Sequence, residues 1–132
     1  MLSQECLQEM RSAWLPNITD AGLSRLIELL EKASPLLIHG SFSRAVPMGC
    51  LATHVAWNHP RTAHLTQEAG ITWLNRVARL NPATSYVIRE WDRRGIQDLE
   101  TRGELLVLLH QEQQKRQQIP AQTKCDAVLV NV

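Results

Sequence analysis

Cys50 and His54 are the residues whose types and spacing most invite chemistry. They stand at i and i+4 within PMGCLATHVAW, residues 47–57, a spacing that sets both on one face of a helix. A thiolate and an imidazole are competent zinc ligands, but tetrahedral zinc takes four donors, or three and a water. The other imidazoles nearby, His39, His59 and His64, match no standard zinc spacing. The same pair could act as a thiol nucleophile and its base, with Asn58, one turn past His54, as the group that orients the imidazole. The competing reading is a small core cysteine beside a histidine whose polar atoms are satisfied internally. Residues 47–57 are apolar on nearly every side, as in the buried centre of a bundle or the wall of a site. The core reading is the plainer one, and no catalytic residue is assigned.

His64 and Glu68 form a second i,i+4 pair. Helical di-iron sites need Glu-x-x-His on two helices and two further glutamates, and the chain contains no such motif. A helix-surface hydrogen bond explains the pair. Nucleotide loops of the GxGxxG and GxxxxGK[ST] types are absent, as is the GxSxG nucleophile elbow. No cofactor is implied.

Residues 72–95, TWLNRVARLNPATSYVIREWDRRG, have the outline of a helix–turn–helix. Arg76, Arg79, Arg89, Arg93 and Arg94 could face phosphate, with polar Thr84 and Ser85 near the start of the second helix. The turn, Leu80-Asn81-Pro82, lacks the glycine such motifs favour, and Glu90 and Asp92 would repel phosphate. An ordinary helix–helix junction describes the stretch as well. Tyr86 falls opposite Val87 and Trp91, among arginines, which is the composition of an interface hot spot as much as of surface decoration.

The composition narrows the partners. A formal net charge of +1 over 132 residues gives no dominating field, so bulk nucleic acid or an anionic membrane is not implied. The charge is uneven: residues 1–43 carry a net −2 and residues 44–102 a net +3, with eleven arginines against three lysines overall. Three widely separated cysteines, Cys6, Cys50 and Cys125, predict free thiols in a reducing compartment. The N-terminus lacks a basic segment before an apolar stretch, and no apolar run approaches membrane-spanning length. A cytoplasmic protein is the expectation.

The elements follow from periodicity and caps. Ser3 caps a helix over 4–14 that ends before Pro16. Thr19 or Asp20 caps an amphipathic helix built on Leu23, Leu26, Ile27 and Leu30 and closed by Ser34-Pro35. Residues 34–46 form an irregular connector. Pro47 opens the central helix to Trp57. Thr62 caps a long helix to Leu80, and Asn81-Pro82 opens another that buries Val87, Ile88 and Trp91 and stops at Gly95. Asp98 caps a last helix whose core run is 105–109, after which QEQQKRQQ offers nothing to pack and Ile119-Pro120 ends it.

These elements predict an all-α fold, a compact bundle of about five helices around one core, with residues 1–118 as a single helical domain. Residues 119–132 would be a C-terminal tail or an extended segment bound to a partner. Leu51, Val55, Trp73, Val77, Val87 and Trp91 are the expected core. The functional expectation is a small protein-binding or self-assembling module, a homo-oligomer or a binder of another protein, using its C-terminal third and Leu129. Nucleic-acid binding through 72–95 and a metal or thiol site at Cys50 and His54 are the alternatives.

Overall fold

A computed structural model describes the backbone of residues 1–131 and the side chains of residues 1–118. Among the described residues there are six α-helices and no strand: α1 (Gln4–Glu9), α2 (Asp20–Glu31), α3 (Leu51–Trp57), α4 (Ala69–Trp73), α5 (Tyr86–Arg94) and α6 (Leu99–Asn131). The predicted all-α bundle around one core is the observed fold. Short π-helical turns extend α1 through Met10–Trp14 and α4 through Leu74–Ala78. Trp14, Trp73 and Trp91 are buried in one continuous core with Leu51, Val55 and Val87, while Val77 is only half-buried against its edge.

The caps explain most boundaries. The Ser3 hydroxyl accepts from the Cys6 amide at 3.1 Å, and Thr19 accepts from Gly22 at 3.1 Å, so each helix begins where a side-chain oxygen satisfies an orphan donor. Asp98 receives the Glu100 amide at 3.3 Å and the Thr101 hydroxyl at 2.7 Å at the start of α6. At Gly95 the chain takes φ +74°, which ends α5 at the predicted glycine.

Three starts differ from the sequence prediction. The central helix begins at Leu51, not Pro47, because the backbone of 48–50 is engaged by the connector. The Gly49 amide donates to the Leu36 carbonyl at 3.0 Å, the Gly49 carbonyl accepts from Ile38 at 2.9 Å, and the Cys50 amide donates to Phe42 at 2.9 Å. Thr62 caps no helix. It is buried, and its hydroxyl donates to the Ala56 carbonyl at 2.8 Å, so 60–68 fold as turns under the end of α3 and α4 waits until Ala69. Asn81 caps a turn through the Ala83 amide at 2.8 Å, while Ser85 caps α5 through the Ile88 amide at 3.3 Å.

The central helix has no polar face to show because it has no solvent face. Leu51, Ala52, Thr53, His54, Val55 and Ala56 are all buried, against α2, α4 and α5. Gly70 of α4 lies directly on Thr53: a Cβ placed there would stand 2.5 Å from Thr53 Oγ1 and 2.9 Å from its amide nitrogen. That glycine is what lets α3 and α4 meet backbone to backbone.

On the other flank α6 packs along α2, fastened by His110 on Glu31 at 2.9 Å and by Arg116 on Asp20 at 3.0 Å and on the Leu15 carbonyl at 2.7 Å. The helix carries on past Ile119-Pro120, where the sequence predicts its end. Each residue added to a formed helix gains a bond without a new nucleation cost, and one proline removes one bond from a stem that already runs from Leu99. The side chains of 119–132, Leu129 among them, lie outside the described residues, and so does the partner-bound segment expected there.

Candidate functional site

Cys50 is the residue before α3, and its Sγ lies 3.6 Å from the Thr53 hydroxyl. The cysteine is sealed in the core, and burial pushes its thiol above the ordinary value despite hydrogen bonds from Thr53. His54 is also buried. Its Nε2 lies 2.8 Å from the Leu36 carbonyl, which fixes that nitrogen as the protonated donor, and its ring meets Trp57 edge-on with centroids 5.2 Å apart. Burial lowers its pKa below 6.5, so the ring is held neutral. Asn58 donates to the His54 carbonyl at 2.9 Å, a backbone contact and not an orienting bond to the imidazole. A neutral thiol and an imidazole tied to a carbonyl make a packed core, and no group of three His, Cys, Asp or Glu suited to a metal occurs among the described residues.

His64 and Glu68 line an open hollow of 290 Å³ with Arg61, Thr72 and Arg76, all at the surface. Arg76, Arg79, Arg89 and Arg93 are exposed, as is Tyr86, so those five sequence candidates are available to a partner. Arg79 closes its turn with φ +60°, where the Leu80 amide reaches back to Leu74 at 2.8 Å. Arg94 differs from the others. It donates to the Met1 carbonyl at 2.8 Å and faces Glu90 at 3.7 Å and Asp98 at 3.6 Å, so it is part of the internal framework.

Two buried carboxylates, not expected from the sequence, form a polar constellation between α1 and α5. Glu9, at the end of α1, accepts from the Ser85 hydroxyl at 2.5 Å, the Tyr86 amide at 2.8 Å, the Val87 amide at 3.2 Å and the Trp14 indole at 3.0 Å. Glu90, on α5, accepts in return from the Ser3 amide and hydroxyl at the start of α1. Each acid thus satisfies the N-terminus of the other helix, where amides are orphaned and the dipole favours negative charge. Burial would raise the Glu90 carboxyl, but bonds from Ser3 and Cys6 and the Arg94 charge hold it below its ordinary value. Burial and the Glu90 charge push the Cys6 thiol up to about 12. The signal was in the spacing: Glu9 falls between Cys6 and Met10, and Glu90 between Val87 and Trp91, on otherwise apolar faces.

A groove of 530 Å³ lies between α1 and α6. Its apolar lining comes from Leu7, Leu99, Val107 and Leu108, and Leu99 and Val107 are 69% and 56% exposed. Of the five apolar positions 105–109, Leu105, Leu108 and Leu109 face the core, Leu106 is half-buried and Val107 looks outward. No helix among the described residues is long and apolar enough to cross a membrane. No family model, curated protein or solved structure matches the chain.

Proposed function

We propose that this chain is a small helical protein-interaction module that assembles with itself, without a catalytic centre, in a cytoplasmic setting where its thiols stay reduced. The observation that carries the reading is the pair of large apolar side chains, Leu99 and Val107, left in solvent along one groove; Met1, Val46, Ile71 and Tyr86 are also exposed but line no part of it. Scattered exposed apolar residues are ordinary, but residues two helical turns apart on one stripe, edging a concave surface, are what an interface is made from. The groups with chemical potential, Cys50, His54, Glu9 and Glu90, are all engaged internally, which supports binding over catalysis.

Light scattering on the full chain across a concentration series tests this. The expected mass is a multiple of the 15.0 kDa chain, reduced toward the monomer by Leu99→Glu with Val107→Glu. A wild-type monomer throughout would reject self-assembly.

Nucleic-acid binding is the second reading, favoured by Arg89, Arg93 and Tyr86 standing exposed on α5. Against it, the amides that begin α5 already hold the Glu9 carboxylate, so a phosphate would have to displace an anion from the place where such helices bind one. Retention on nucleic acid that falls steeply with salt and is lost in Arg89→Ala/Arg93→Ala would restore this reading.

A further inference from the structure

The groove between α1 and α6 is charged in opposite senses at its two ends. The Leu2 amide, just before α1, donates to Glu104 at 3.0 Å, which sets the start of α1 beside the start of α6. Both helices then run the same way. Glu100 and Glu104 lie at this end of the groove, while Arg11, past the end of α1, lies toward Gln111 and borders a second hollow with Lys115. Between them the lining is apolar, and Gly103 places no side chain in the way. Glu112, near the basic end, is neutralised by Arg116 at 2.8 Å. Arg11 makes no ion pair among the described residues. Glu100 pairs with the Met1 ammonium at 2.7 Å yet remains 58% exposed, and Glu104 beside it leaves this end net negative.

A surface of this pattern has one partner whose matching pattern is guaranteed. A second copy turned end over end by a two-fold axis brings its basic end over the acidic end of the first, twice, and lays apolar centre on apolar centre. Resting on the self-assembly reading above, we propose that the occupant of the groove is a second copy of this chain in a two-fold dimer, with Arg11 of each protomer facing Glu100 of the other and Val107 packed near the axis. A foreign helix could cover the apolar floor, but nothing would require it to carry the reversed charge order.

The test exploits the symmetry, using full-length chains and sedimentation or light scattering with native mass spectrometry. Arg11→Glu sets acid against acid at both ends of the dimer, and Glu100→Arg sets base against base. Each variant alone should weaken dimerisation at least about tenfold, since like charges across an interface are strongly disfavoured. Mixed in equal amounts, the two should form a heterodimer about as tight as wild type, because every facing pair is then opposite in sign. Both sites are at the surface, and unchanged melting of each variant separates a lost interface from a lost fold. Val107→Glu, which charges the middle of the groove, should give a monomer independently of either end. A wild-type dimer unaffected by the single changes would overturn this groove as the interface while leaving self-assembly standing. Weakening without recovery on mixing would overturn the two-fold pairing. A wild-type monomer at every concentration would remove both.

Discussion

Replacing Glu9 should damage the fold far more than its place on a short N-terminal helix suggests. Its carboxylate receives four donors, among them the Ser85 hydroxyl and the Trp14 indole, both buried. A hydrogen bond to a charged group contributes roughly 1.5–3 kcal/mol net, but four bonds sharing one carboxylate do not add. Emptying a buried charged network of one member costs about 3–5 kcal/mol. Glu9→Ala should therefore lose about 3–5 kcal/mol, and Glu9→Gln about 2 kcal/mol, since the amide keeps one acceptor but turns an N–H toward the donors. Against a total stability of about 5–15 kcal/mol, that loss is a large share of what holds the fold together. Guanidinium titration followed by circular dichroism measures both. Ser85→Ala combined with Glu9→Gln should show a coupling of about 1 kcal/mol or more. If Glu9→Gln behaves as a surface change, within about 0.5 kcal/mol of wild type, the carboxylate does not cap α5 and the reasoning fails. The reciprocal acid adds a pH signature. Glu90 is held below its ordinary 4.5, so its contribution is complete above that value and is lost as pH falls through the lower folded one. Glu90→Gln should be less stable at neutral pH and lose less on acidification than wild type.

Gly70→Ala would raise helix propensity by about 1 kcal/mol at an exposed site. Here it should destabilise by about 1–3 kcal/mol, because the added methyl meets Thr53, and a stabilised variant would disprove the tight α3–α4 approach. Stability should also fall as pH drops below about 6.5, because His54 is buried neutral and the unfolded chain takes up the proton first. His59, held low by burial and by Arg61, adds to the same window. His54→Gln, which can still donate to Leu36, should flatten most of that slope in pH-dependent melts. The buried tryptophans should separate on conservative replacement. The Trp91 indole donates to the Ile38 carbonyl at 2.8 Å, whereas the Trp73 indole nitrogen has no partner among the described residues. Trp91→Phe should then cost about 1–2 kcal/mol more than Trp73→Phe, and equal losses in chemical denaturation would count against the assigned bond.

Much of this architecture is written locally. Ser3 and Thr19 cap as their types demand, Gly95 ends α5, and the lack of a polar face on residues 51–56 marks the helix that every neighbour covers. What the sequence hides is competition for backbone groups by distant residues. Pro47 is a good first residue for a helix, yet Gly49 and Cys50 are already committed to Leu36, Ile38 and Phe42 of the connector, and Met48 to Arg44 and Ala45. Thr62 resembles a cap, but Ala56 offers its hydroxyl a buried carbonyl. The candidate site divides in the same way. The spacing of Cys50 and His54 suggests one helix face, but Cys50 lies in extended backbone just before α3, and Leu36, distant in sequence, decides that the imidazole is structural. Glu9 and Glu90 each interrupt an apolar face, which flags them as unusual. Only the pairing of residues 3–9 with 85–90 reveals that each answers the other.

That pairing also sets an order of events during synthesis. Residues 3–9 are made before their partners: the amides that bond Glu9 and the carboxylate that receives Ser3 lie 77 to 87 positions later in the chain. A helix as short as α1 does not persist alone in water. That early segment is therefore among the last to be fixed, and Cys6, buried in the finished fold, is covered only after residues 85–90 have been made.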